Sequence, residues 1–221
     1  MDEDRAQWVH AQQVHALIES WLSRGRFAPA RNHLGNRFFG GHSCLMSHLH
    51  HKTHAPKVVR VFVLTISDTR TEENDEGGRL ARQLLREAGH EVVGSAIVKD
   101  DAAAVQACMA ELTARGAGKD QPGAADVLIT TGGTGISRRD STYEAISALL
   151  AKRLDGFGEL FRMLSYADIG SAAMLSRAVA GLVRDSHLVV FALPGSPAAV
   201  GLGLSKLIIP ELGHLRFEAR R

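Results

Sequence analysis

The chain has 221 residues, 45% of them hydrophobic, which allows one α/β domain with a full core and an appendage. A net charge of only +2, with histidine neutral, argues against a nucleic-acid-binding protein, which would present a dense basic face. Two cysteines, Cys44 and Cys108, exclude a disulfide framework and fit a reducing, cytoplasmic setting. No run approaches a membrane span in length, and the Met-Asp-Glu-Asp opening lacks the basic and apolar regions of a signal peptide.

Residues 1–56 read as a histidine-rich, poorly ordered extension, set apart from a folded domain over 57–221. They hold eight of the eleven histidines and both tryptophans, a bias no other part of the chain shares. Trp8, Val14, Leu17, Ile18, Trp21 and Leu22 fall partly on one face of a helix over 7–22, and beyond Gly25 no periodicity lasts. Cys44, His48, His50, His51 and His54 invite a metal reading. Their spacing matches no zinc-finger or zinc-enzyme pattern, so a plain histidine-rich tail is preferred. Met46 is an alternative start, which would make residues 1–45 extra sequence.

The folded domain begins with Val58 to Ile66, a β-branched and nearly continuous run that predicts a strand buried on both faces. Ser67-Asp68-Thr69-Arg70 leaves its C-terminal end. An acidic loop follows, then a helix over 78–88 that buries Leu80, Leu84 and Leu85 and stops at Gly89. His90 to Val98 is a second strand, followed by Lys99-Asp100-Asp101, with Asp101 placed to cap an alanine-rich helix over 102–115. After a surface loop, Val127-Leu128-Ile129 marks a third strand, which runs into Gly132, Gly133 and Gly135. Ser141 and Glu144 are spaced as a capping box for a helix continuing through Leu154. Residues 159–164 and 172–179 read as further helices, the second containing Leu175-Ser176-Arg177. Leu188 to Leu193 is a fourth strand, Pro194-Gly195-Ser196-Pro197 a kinked loop, and 198–212 the last helix. This alternation predicts a three-layer α/β/α fold around a mostly parallel sheet.

In a parallel sheet the C-terminal strand ends share one rim, where ligands gather. That rim would carry Asp68, Asp100 and Asp140, the hydroxyls of Ser67, Thr134 and Ser196, arginines and two glycine loops. A strand, a glycine loop and a helix N-terminus suit a phosphorylated ligand. Spare carboxylates suit Mg²⁺, which takes one or two of them together with substrate phosphates. Phosphoryl or nucleotidyl transfer is the matching chemistry. Each residue also has a plainer role. Asp100, Asp101 and Asp140 precede helices as caps, Glu144 completes a capping box, Ser176 and Arg177 form helix surface, and His187 is structural. No G-K-[ST] follows the glycines, and no G-x-S-x-G is present.

TTGGTGISRRDSTYEA resembles the signature of the MoaB/MogA family of molybdenum cofactor biosynthesis proteins, T-G-G-T-G followed by R-D-x-T-x-E-A. LTISDTR, GFGELFRMLS, MLSRAVAG and LPGSP resemble further family segments in the same order, so the resemblance covers about residues 57–212 and leaves out 1–55. It implies a homotrimer or homohexamer that works with other molybdenum cofactor biosynthesis proteins. It implies transfer of AMP from Mg-ATP to molybdopterin, whose terminal phosphate attacks the α-phosphorus and releases pyrophosphate. Asp100 and Asp140 fall on the family's essential aspartates, implied to be catalytic and to hold Mg²⁺. Ser67, Asp68, Thr131, Gly132, Gly133, Thr134, Gly135, Arg139, Ser176, Pro194, Gly195 and Ser196 are implied to bind molybdopterin or nucleotide. Two departures stand out: Tyr143 and Lys99 occupy positions where the family usually or often has proline. GFGELFRMLS is closer to MoaB than to MogA, and some MoaB-type members lack adenylyl transfer. The alternative is therefore a non-catalytic molybdopterin-binding or scaffold protein.

Overall fold

Apolar, β-branched runs build the centre of the sheet. In the computed structural model, which describes residues 56–116, 121, 123–137 and 140–221, β1 (Arg60–Ile66), β3 (Val127–Thr131) and β6 (Val189–Leu193) are buried almost throughout. The histidine-rich segment and its candidate metal ligands lie outside the described residues. Three more strands, β2 (Glu91–Val98), β4 (Leu150–Arg153) and β5 (Val179–Val183), complete a six-stranded sheet of order β2-β1-β3-β6-β5-β4. β1 runs parallel to β2 and β3, and β3 parallel to β6. β5 is antiparallel to both β6 and β4, so the sheet is mixed but mostly parallel.

The two strands nearest one edge correct the sequence reading. A helix was expected to continue from Ala145 through Leu154. Instead the chain turns extended at Leu150 (φ −77°, ψ 128°) and pairs with β5. The leucines at 149, 150 and 154 imitate a helical stripe, but 150–153 form a short edge strand whose exposed Lys152 and Arg153 suit an unpaired edge. The expected helix over 172–179 is only a 3₁₀ turn, Gly170–Leu175, after which the chain enters β5. Gly181 is required there, since a Cβ at that position would lie 2.3 Å from the Lys152 carbonyl oxygen.

Alternating side chains divide the core between the two faces of the sheet. On one face Val61, Val63, Ile129 and Phe191 pack under α1 (Glu76–Glu87) and α4 (Asp155–Ile169). Phe157 of α4 meets Phe191 edge-on, with ring centroids 5.1 Å apart. On the other face Leu64, Ile66, Leu128 and Val190 pack under α2 (Ala102–Ala114) and α3 (Thr142–Leu149). The result is the expected three-layer α/β/α arrangement.

The C-terminal helical run, Pro197–Ala219, is long and apolar enough to cross a membrane by length and composition, contrary to the sequence reading. It comprises α5 (Pro197–Gly203), a π-turn and a 3₁₀ turn around Pro210, and α6 (Leu212–Ala219). Its stripe of Val200, Leu204, Ile208 and Leu212, spaced four apart, is fully buried in the first core. That spacing is what a helix lying on a sheet requires.

Helix starts follow side-chain chemistry, with one surprise. Asp101 caps α2 as expected, accepting from the Ala104 N–H at 3.0 Å. α1 begins earlier than expected because Asp75 caps it, accepting from the Gly78 N–H at 2.9 Å. The capping box of Ser141 and Glu144 does not form: Ser141 makes no side-chain cap. Its hydroxyl and N–H turn to Asp100, and Glu144 pairs with Arg177.

Candidate functional site

The C-terminal ends of β1, β2, β3 and β6 surround a cavity of about 450 Å³. β1 delivers Ser67 and Asp68, β2 delivers Asp100, β3 delivers Thr131, Gly132 and Gly133, and β6 delivers Gly195 and Ser196. Asp140, just before α3, closes the same wall.

Glycines let the carboxylates in. A Cβ on Gly133 would lie 2.8 Å from Asp100 Oδ1 and 1.9 Å from Thr142 Oγ1. A Cβ on Gly135 would lie 2.7 Å from Asp140 Oδ2. Gly132 is needed for its backbone: its φ is +100°, and a Cβ there would lie 2.1 Å from the Ile66 carbonyl oxygen. Its N–H donates to the Leu193 carbonyl at 2.9 Å, tying the glycine loop to the end of β6. That bond engages the Gly132 N–H, while the residue itself still lines the cavity. The N–H groups of Gly133, Thr134 and Gly135 have no acceptor among the described residues and remain for one.

The carboxylates differ in their support. Asp100 Oδ1 accepts from the Ser141 N–H at 3.3 Å, with the Ser141 and Thr142 hydroxyls each at 3.5 Å. The Asp100 N–H donates to Asp68 Oδ1 at 3.3 Å, which draws a second carboxylate close. Burial pushes the Asp100 pKa above its ordinary value, and the charges of Asp140 and Asp68 push it further, against the Ser141 hydrogen bonds. Asp140 Oδ2 accepts from the Ser137 N–H at 2.7 Å, closing a short turn. Asp100 and Asp140 thus present carboxylates to one open cavity. The donor set fits a hard divalent cation that takes its remaining ligands from phosphate and water. Among the described residues no group of three or more metal-ligating side chains gathers, so a metal held by protein alone is not built here.

Other residues expected at the site stand elsewhere. Thr134, Gly135 and Pro194 flank the residues that line the cavity without lining it themselves; Thr134 is buried, and its carbonyl accepts from Arg177. Ser176 belongs to a second pocket, beside Arg153, Arg162 and Tyr143. Its buried hydroxyl has no hydrogen-bond partner among the described residues. Arg139 lies outside the described residues. Ser67 and Ser196 both line the cavity and also support turns, accepting from Arg70 N–H and Ala199 N–H at 3.2 Å each. His187 is structural as expected, with Nδ1 2.7 Å from the Ala219 carbonyl.

Two features escaped sequence reasoning. Buried Asp75 accepts from the Thr65 hydroxyl at 2.8 Å, and both line the cavity floor. An Asp ahead of a helical stripe is a cap signal, and Asp75 carried it. Arg177, read from the sequence as helix surface, instead bridges the glycine loop and α3.

The family model described as "Probable molybdopterin binding domain" matches residues 62–214. A relative from Bacillus cereus, "Molybdenum cofactor biosynthesis protein B", is 54% identical over 177 residues, covering 80% of this chain and 99% of its own. A crystal structure of molybdenum cofactor biosynthesis protein B is 54% identical with a TM-score of 0.68, covering 76% of this chain and 99% of that one. The tungsten cofactor synthesizing protein MoaB from Pyrococcus furiosus is 41% identical with a TM-score of 0.66, covering 76% of this chain and 100% of that one.

Proposed function

The chain belongs to the MoaB/MogA family of molybdenum cofactor biosynthesis proteins, and from that premise we propose that it is a Mg-ATP-dependent molybdopterin adenylyltransferase. The observation that carries this reading is the pair Asp100 and Asp140, seated against Gly133 and Gly135 in one cavity. Among the described residues four aspartates and one arginine, Arg70, line that cavity, a balance that favours a polyphosphate entering with a cation.

In the proposed reaction an oxygen of molybdopterin's terminal phosphate attacks the α-phosphorus of ATP. A new P–O bond forms as the bond to the β-phosphate oxygen breaks, and pyrophosphate leaves with the electron pair. A phosphate monoester is largely dianionic at neutral pH, so no general base is required. The chain's work is to position and to neutralise charge. Asp100 and Asp140 would hold Mg²⁺, which when bound supplies charge neutralisation to the phosphates. The N–H groups of Gly133, Thr134 and Gly135 would receive phosphate oxygens, with Arg139 assigned beside them by its motif. Ser67, Asp68, Thr131, Gly195 and Ser196 would orient the two substrates. Ser176 and Pro194 are assigned to substrate contact by motif alone.

A homotrimer or homohexamer belongs to the same reading. Leu160, Met163, Tyr166 and Ile169 on α4, with Met174 after it, are exposed, a run of large apolar side chains that fits self-association. Sedimentation velocity is expected to give a trimer or hexamer, and a monomer at working concentrations removes this part.

The deciding assay mixes purified protein, molybdopterin, ATP and Mg²⁺. Adenylyl-molybdopterin and pyrophosphate are expected. No product beside an active homologue overturns the proposal. Tight molybdopterin binding without AMP transfer, unchanged in Asp140→Asn, would mark a non-catalytic binding or scaffold protein instead.

A further inference from the structure

Arg177 sits between the 3₁₀ turn and β5, and its guanidinium reaches across the base of the loop that carries Asp140. Its backbone N–H and its Nε both donate to the Thr134 carbonyl, at 3.3 and 3.4 Å. One terminal nitrogen donates to the Asp140 carbonyl at 3.1 Å, and the other pairs with Glu144. The guanidinium carbon lies 4.9 Å from the centre of the Tyr143 ring. One side chain therefore holds the end of the glycine loop, the backbone of Asp140 and the first turn of α3.

The surrounding pocket, about 470 Å³, is rich in arginine. Those cations already have internal partners. Arg153 donates to Asp155 at 3.2 Å and to the Tyr143 hydroxyl at 3.1 Å. Arg162 donates to the Ser176 carbonyl at 3.4 Å, which steadies the residue just before Arg177. The cluster braces the loop base more than it offers an anion site.

We propose that Arg177 is a positioning residue for the AMP-transfer site. It fixes Thr134 and Asp140 so that the free N–H groups of 133–135 and the Asp140 carboxylate face one ligand. This rests on the adenylyltransferase reading for its catalytic consequence, but the clamp itself can be read without substrate. The planar guanidinium fork is what the geometry needs, because a lysine ammonium at this position cannot span both carbonyls and the Glu144 carboxylate in fixed directions.

The test uses the full chain and the variants Arg177→Met, Arg177→Lys and Glu144→Gln. In hydrogen exchange of the ligand-free protein, Arg177→Met is expected to speed exchange across 133–137 and 140–146 while α2 and β6 keep the wild-type pattern. In kinetics it is expected to lower kcat about a hundredfold, as a misplaced catalytic group does, with KM for ATP moving far less. Arg177→Lys is expected to recover part of kcat. Glu144→Gln is expected to stay within about threefold of wild type, because the carbonyl bonds remain and the lost ion pair is exposed. Arg177→Met with kcat within about twofold of wild type overturns the inference. So does exchange that rises evenly through every element, which assigns Arg177 to general stability. If the wild-type protein transfers no AMP, the proposed function fails and exchange alone decides: an unchanged rim in Arg177→Met overturns the clamp.

Discussion

Two carboxylate sites, Asp126 buried and Asp100 half-buried, stand at opposite ends of the same sheet, and they are built in opposite ways. At the N-terminal end of β3, Asp126 is surrounded by arginines. It accepts from the Arg60 N–H and Nε at 3.1 Å each, lies 3.0 Å from Arg216 Nε, and accepts from Arg220 at 2.8 Å. Burial pushes its pKa up, but the Arg60 and Arg216 hydrogen bonds outweigh burial and hold it below the ordinary value. At the C-terminal end Asp100 meets hydroxyls, an N–H and two further carboxylates, and its pKa rises. Asp126 has its countercharge supplied by the chain and ties α6 to the sheet. Asp100 makes no ion pair among the described residues, and under the proposed function its countercharge would come from a bound cation.

The largest expected effect is at the saturated end. Asp126→Asn removes the carboxylate that Arg60, Arg216 and Arg220 share, and breaking a buried pair costs about 3–5 kcal/mol. Urea unfolding should show this as a lower midpoint with an unchanged slope. A loss below about 0.5 kcal/mol, the size of an exposed pair, would break the comparison. The opposite result is expected for Asp100→Asn. Folding stability should be unchanged or higher, since burial and two like charges no longer oppose an ionised group, while AMP transfer falls by at least about a hundredfold. A variant that loses both stability and activity would make Asp100 a structural residue like Asp126. A smaller effect follows from mass action: Mg-ATP should raise the Tm of wild type and leave Asp100→Asn nearly unmoved. Equal shifts in both proteins would place the nucleotide elsewhere.

The contrast also explains what the sequence made legible. β1, β3 and β6 stand out because their apolar runs are nearly continuous, and β2 because its valines and isoleucine lie between Gly89 and the Lys99-Asp100-Asp101 turn. Their C-terminal loops brought Asp68, Asp100 and Asp140 together as expected. β4 and β5 were hidden, because 150–153 is short and follows leucines at helical spacing, and 172–178 is rich in small residues that read equally as helix. Glu144 looked like a capping acid for the same local reason. Asp75, Arg177 and Asp126 take their roles from distant partners. Thr65 is 10 residues from Asp75, Thr134 is 43 from Arg177, and Arg220 is 94 from Asp126. No local pattern encodes such a partner, so those roles appear only when the fold brings the strand ends and helices together.

Acid titration of stability separates the two ends most finely. Asp126 has a lowered folded pKa, so its contribution is fully present above the unfolded value of about 3.9 and is lost as pH falls toward the folded one. Asp100 has a raised folded pKa, so the folded state binds its proton more tightly. Its contribution is favourable at low pH and is lost as pH rises through the folded value. On acidification the two therefore oppose each other, Asp100 giving relief first and Asp126 failing later. Urea midpoints measured from pH 7 down to 3 should fall more steeply in Asp100→Asn, which lacks the relief, than in wild type. In Asp126→Asn they should start lower and fall less steeply. Parallel curves for all three proteins would mean that neither carboxylate feels the environment described for it, and the division between a neutralised end and an open end would not hold.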